Sequence, residues 1–187
     1  VPMRHGLTLG ELALLARHDL RLEADVRVVP AAGWAREMAW DRTGLPFTVP
    51  SPNLRDLEAL YHYPRSCLFE GTNLSVGRGS ARPFHQVAAP WVDTAAVLGR
   101  LRRLPLPGVR FEGTTFIPRR PGDGKYADTT VTGIRLVLTD PSRYDPVRVA
   151  VEMLSAVRAS HPEAFRFSSR QFDRLAGGQS LRAALPA

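Results

Sequence analysis

Apolar residues recur at helical spacing in Leu9, Leu12, Ala13, Leu15 and Ala16. They follow Thr8-Leu9-Gly10-Glu11, a capping-box pattern: a Thr hydroxyl to cap the first turn and a Glu three residues on to reach back. A helix ending near His18 and Asp19 is predicted. Residues 26–30, Val-Arg-Val-Val-Pro, read as a short strand stopped by proline. Residues 56–63 predict a short helix with Asn53 as cap, and Cys67-Leu68-Phe69 then reads as a buried strand that breaks at Glu70-Gly71. Beyond a polar, Gly-rich loop, Asp93 caps a helix to about Arg103. Residues 109–112 read as a strand continued by 115–117. The alternation over 130–139 is the clearest strand, disturbed around Gly133. Asp145-Pro146 opens the longest helix, with Pro at its first position, ending near His161-Pro162. A short helix over 171–175 stops at Gly177-Gly178.

Strands and helices mix without strict alternation, so the bulk of the chain reads as α+β. The first helix and strand look like the last step of a larger α/β domain, with a junction near residues 30 to 33. Trp34 and Trp40 suit a core, or an apolar wall for a sugar ring. At 187 residues and 44% hydrophobic content a sizeable core is expected. The sequence starts without Met and without a signal-peptide pattern, and Val1-Pro2-Met3 reads like the middle of a protein. The expectation is a C-terminal portion of a longer chain.

The net charge of +7 permits anionic partners, but Arg is scattered and no run or module for nucleic acid is present. No apolar run approaches the roughly 18 residues of a membrane span. Cys67 is the single cysteine, so no intrachain disulfide forms, and its apolar neighbours make it a small buried hydrophobe. Histidines 5, 18, 62, 85 and 161 show no HxxxH, HxH or Cys/His spacing, so no metal is expected. Walker, GxGxxG and GxSxG motifs are absent, and no cofactor is expected.

Carboxylate chemistry remains. Glycoside hydrolysis needs two carboxyl groups, one to protonate the leaving oxygen and one as base or nucleophile. Glu11 and Glu70 stand beside Gly-rich, polar transitions between loop and element. Asn73, Arg78 and Arg82 follow Glu70 and suit an anionic or hydroxyl-rich ligand. His5 lies in the loop before the first helix, an anion-friendly place. The alternative for each Glu is structural: a helix cap at Glu11, a solvated turn at Glu70.

Residues 1–13, Val-Pro-Met-Arg-His-Gly-Leu-Thr-Leu-Gly-Glu-Leu-Ala, resemble the "PMRHGMTIGELA" signature of NamZ-like exo-β-N-acetylmuramidases. Residues 69–84, from Phe69-Glu70-Gly71-Thr72-Asn73 through Gly77-Arg78-Gly79 to Arg82-Pro83-Phe84, are similar to that family's "FEGTNLSEGRGTTRPF". Gly44-Leu45-Pro46-Phe47, Pro50-Ser51-Pro52-Asn53, Ala89-Pro90-Trp91 and Phe172-Asp173-Arg174-Leu175 fit in the same order. The resemblance implies an N-terminal Rossmann-like catalytic domain and a C-terminal auxiliary α+β domain, with the active site in the cleft between them. Residues 1–30 are then the tail of the first domain and 31–187 the auxiliary domain, the rest of the catalytic domain lying outside this sequence.

Members of that family release N-acetylmuramic acid from the non-reducing end of peptidoglycan fragments during wall turnover. They are typically exported, so a secreted, periplasmic or cell-envelope location is implied. The resemblance makes Glu11 a catalytic acid/base and Glu70 a second catalytic or substrate-contacting group. His5, Asn73, Arg78 and Arg82 become substrate-binding residues. Arg78 suits the lactyl carboxylate of muramic acid, because a planar guanidinium matches a carboxylate in two hydrogen bonds. The family's second Glu in "SEGRG" is Val76 here. The competing expectation is a non-catalytic glycan-binding or structural domain descended from the same enzymes.

Overall fold

Thr8 and Glu11 close the first helix as their spacing requires. Thr8 Oγ1 accepts from the Glu11 amide at 3.1 Å, and Glu11 Oε2 accepts from the Thr8 amide at 2.8 Å. Helix α1 then runs Leu9–Asp19, with Arg17 and His18 at its negative C-terminal end. None of its residues is buried. The computed structural model describes residues 6–185 and divides into two units, one ending at Phe47 and one beginning at Thr48. The first unit thus runs beyond the junction suggested near residues 30 to 33. His5 lies outside the described residues.

The strand expected over 26–30 does not form: this segment is irregular and mostly exposed, Val29 at 82%. A strand needs a ladder partner, and among the described residues none lies beside it. Trp34 and Trp40 are both partly exposed rather than core, and Trp40 opens a single 3₁₀ turn, Trp40–Thr43.

The second unit is built on α2, Leu57–Glu70. Its cap is Asp56, whose Oδ1 accepts from the Ala59 amide at 2.7 Å, not Asn53. Helix α2 passes straight through Pro64 and includes Cys67, Leu68 and Phe69, so the expected strand there is helix. An interior proline costs about 3 kcal/mol. Fully burying Leu68 and Phe69 returns roughly 1.5–3 kcal/mol each, together enough to offset it.

After the polar loop come β1, Gln86–Ala89, and α3, Thr94–Leu101. Strands β2, Val109–Phe116, and β3, Val131–Leu138, follow. The three strands form one antiparallel sheet in the order β1-β3-β2, with Ala88 opposite Gly133 and Phe116 opposite Val131. Gly133 does not make a bulge. It pairs regularly, and a Cβ there would stand 2.0 Å from the Val87 carbonyl oxygen. The glycine serves a close backbone approach.

Helix α4, Pro146–Ser160, is capped by Asp145 with proline at its start, as its sequence indicates. Helices α5, Ser169–Ala176, and α6, Ser180–Ala184, complete the chain. Phe69, Leu74, Phe84, Ile134, Leu136, Met153, Leu154 and Phe172 meet in one core shared by the sheet and helices α2 to α5. Val76 is wholly buried in it, so this position packs against apolar side chains.

Candidate active site

Glu70 is the last residue of α2, where the helix presents its unpaired carbonyls and negative dipole end. A carboxylate is poorly placed there unless cations answer it, and two do. Arg78 donates from Nε at 3.1 Å and from Nη2 at 2.5 Å to Glu70 Oε1. Glu70 Oε2 takes no hydrogen bond among the described residues. Lys125 donates its three ammonium protons to the carbonyls of Glu70, Thr72 and Leu74, at 3.1, 2.7 and 3.0 Å. Burial pushes the Lys125 pKa down. This lysine stitches the loop between β2 and β3 onto the end of α2.

The loop after Glu70 is shaped by its own backbone. Ser75 exchanges two hydrogen bonds with Ala88 and covers the outer edge of β1. Gly79 has a positive φ of 76° and approaches the Arg119 backbone so closely that a Cβ would lie 2.6 Å from its carbonyl oxygen. The loop returns at Phe84, a non-glycine residue at φ 67°. Its carbonyl accepts from Ser66 Oγ and from Arg65 Nη2, both at 2.7 Å, which holds that costly conformation. The Arg78 guanidinium lies over the Phe84 ring at 5.1 Å, so the ion pair with Glu70 is oriented from below.

Glu70 and Arg78 line a cleft of about 480 Å³ together with Gly122, Asp123, Lys125 and Gln171. Its lining is carboxylate, guanidinium, ammonium and amide, which suits hydroxyl-rich or anionic ligands. Asn73, by contrast, is committed to the fold. Its Nδ2 donates to the Ala164 carbonyl at 2.8 Å and its Oδ1 accepts from the Arg166 amide at 2.9 Å. Its own carbonyl accepts from the Tyr126 hydroxyl at 2.6 Å. Asn73 therefore clamps the loop to the segment before α5. Arg82 is exposed and does not line the cleft.

Glu11 belongs to the first unit. Beyond its capping role it pairs with Arg36, which also donates to the Gly6 carbonyl. Arg36 and the Thr8 amide hold the Glu11 carboxyl below the usual carboxylate range, so it stays ionised and suits a base or nucleophile rather than an acid. Cys67 is buried, and burial, aided by Glu70, pushes its thiol up to about 11, which removes it as a nucleophile.

Besides Gly122, the lining residues that sequence reasoning did not assign are Lys125, Asp123 and Gln171. The first two sit in a long loop, Lys125 being 55 residues beyond Glu70, and Gln171 comes from α5; no local pattern links them. The one available signal was that Lys125 is the only lysine in a chain of arginines.

The second unit is thus a small antiparallel sheet packed with helices, carrying a polar cleft with a carboxylate on the end of its central helix. Residues 61–187 match the family profile described as exo-β-N-acetylmuramidase NamZ, C-terminal, and residues 1–58 match its N-terminal counterpart. The chain belongs to the NamZ exo-β-N-acetylmuramidase family. It is 37% identical over 183 residues to the peptidoglycan β-N-acetylmuramidase NamZ of Bacillus subtilis strain 168, covering 97% of this chain and 44% of that protein. Two crystal structures of DUF1343 family proteins from Bacteroides fragilis NCTC 9343 share the fold. One gives a TM-score of 0.87 at 26% identity, covering 98% of this chain and 49% of the other. The second gives 0.71 at 28% identity, covering 99% and 48%. The chain therefore spans less than half the length of these relatives. No described helix is long and apolar enough to cross a membrane.

Proposed function

We propose that this chain is the C-terminal part of a peptidoglycan glycosidase that releases N-acetylmuramic acid from the non-reducing end of wall fragments. The observation that carries this reading is the ordered match of both family profiles along one chain, with Glu70 and Arg78 lining a polar cleft in the second. The unit ending at Phe47 then belongs to a Rossmann-like catalytic domain and the unit beginning at Thr48 to an auxiliary domain, in an exported protein of wall turnover. Glu70 contacts substrate through Oε2, the oxygen that Arg78 does not use. Arg78 presents its remaining guanidinium edge to the lactyl carboxylate. Glu11, held ionised, acts as base or nucleophile rather than as the acid.

The test is release of a chromogenic aglycone from a β-N-acetylmuramide by the full-length protein. Turnover is expected, and Glu11→Gln and Glu70→Gln are each expected to lower kcat by about 10²-fold or more. A folded full-length protein without turnover overturns the enzymatic reading. If it also retains muropeptides, the alternative of a glycan-binding domain stands. That alternative is favoured by one observation, the capture of both Glu11 oxygens by Thr8 and Arg36.

A further inference from the structure

A second cluster lies within the same unit, built on the opposite end of α2. Glu58 stands in the first turn of the helix and His62 one turn later, so both project from one face. His85 arrives from the end of the polar loop, just before β1. Glu58 Oε1 is 3.3 Å from His62 Nε2 and 3.8 Å from His85 Nδ1, and the three ligand atoms lie within 4.8 Å of one another. Zinc bonds of about 2.0–2.2 Å in tetrahedral geometry separate neighbouring ligand atoms by about 3.3 Å. The Glu58–His62 pair already has that spacing, and the other two pairs, within 4.8 Å, reach it by closing up to about 1.5 Å.

The outward-facing nitrogens strengthen the case. His85 Nε2 lies 3.1 and 3.2 Å from the two Asp56 oxygens, and His62 Nδ1 lies 3.0 Å from the Tyr144 hydroxyl. Each imidazole thus has a polar partner behind it and its other nitrogen turned inward, the carboxylate–histidine–metal arrangement in which the outer partner fixes tautomer and ring angle. His62 is fully buried and His85 nearly so, while Glu58, 38% exposed, gives the cluster its access to solvent.

We propose that Glu58, His62 and His85 bind one divalent cation of the zinc class, with water at the open position. Two imidazole donors favour Zn²⁺ over Mg²⁺ or Ca²⁺, which prefer all-oxygen sites. The ion joins the start of α2 to the entry of β1. Through the Leu138 amide, which donates to Glu58 Oε1 at 2.9 Å, and through Tyr144, it also reaches the end of β3 and the turn before α4. It is a staple for this unit, separate from the cleft at Glu70.

The test uses the full chain, stripped with a chelator and shown by circular dichroism to remain folded, then titrated with Zn²⁺ alone. One equivalent is expected to be retained on dialysis. Zn²⁺ is expected to raise Tm where Mg²⁺ does not, and Co²⁺ to give visible absorption of a nitrogen- and oxygen-ligated site. Glu58→Gln and His85→Gln are each expected to weaken Zn²⁺ binding at least about tenfold. Asp56→Asn, which can still cap α2 and of the three proposed ligands touches His85 alone, is expected to weaken it about 10–100-fold. Should the buried-histidine variant not fold, the unsubstituted chain and Asp56→Asn carry the test. A folded, stripped chain that takes up no Zn²⁺ and shows no change in Tm overturns the proposal. Undiminished uptake by both Glu58→Gln and Asp56→Asn overturns it as well, by placing the ion elsewhere.

Discussion

At the scale of single residues, the two carboxylates that sequence reasoning chose have unlike surroundings. Glu11 is bound by a backbone amide and a guanidinium, Glu70 by a guanidinium on one oxygen only. The first arrangement has a measurable acid signature. Arg36 and Thr8 lower the Glu11 carboxyl from its ordinary value of 4.5, so the unfolded chain binds this proton more readily than the folded one. Glu11 therefore contributes stability in full above pH 4.5, and loses it as pH falls through its lowered folded value. Amide exchange of α1 followed between pH 5 and pH 2 is expected to show protection falling over that window. Glu11→Gln is expected to flatten this dependence; an unchanged profile in the variant would assign the acid sensitivity to other groups.

At the scale of elements, the contact between β1 and β3 is set by one missing methyl. A Cβ on Gly133 would meet the backbone of β1 at Val87 and Ala88, so β1 would have to move. Gly133→Ala is expected to destabilise the chain by about 1–3 kcal/mol or more, read as a lower urea midpoint at an unchanged slope. Gly99 offers the internal control. It lies inside α3 with no heavy atom near its would-be Cβ, so Gly99→Ala is expected to stabilise by about 0.4–1 kcal/mol. Equal effects of the two substitutions would show that helix and strand propensity, rather than the close approach, governs both positions.

For the whole molecule, every buried hydrophobic side chain among the described residues lies at or beyond Ala59. Among the described residues, the unit ending at Phe47 has none and the unit beginning at Thr48 holds the whole core. In a preparation of residues 1–187 alone, a segment of this length without buried apolar area has little to set against its conformational entropy. Limited proteolysis is therefore expected to cut first between residues 20 and 47, leaving a resistant fragment that starts near Thr48. First cuts inside the 117–130 loop would instead make that loop the weakest segment, despite the three bonds of Lys125.

Local patterns were enough for the capping box of α1, the Asp-Pro start of α4, the register-setting alternation of β3 and the α+β class, because caps and periodicity depend on neighbours a few residues apart. The same patterns failed at 26–30, where apolar β-branched residues had no ladder partner, and at Cys67-Leu68-Phe69, where burial of the following turns overrode Pro64. The family was legible in the order of its short motifs, and the closeness of Glu70 and Arg78 was legible because they lie eight residues apart, across the end of α2 and the loop after it. The cleft's Lys125 and Gln171, the structural commitment of Asn73, and the meeting of Glu58, His62 and His85 were decided only by tertiary structure. These groups converge from segments far apart in sequence, and only packing of the loops onto α2 brings their atoms within hydrogen-bonding or ligand distance.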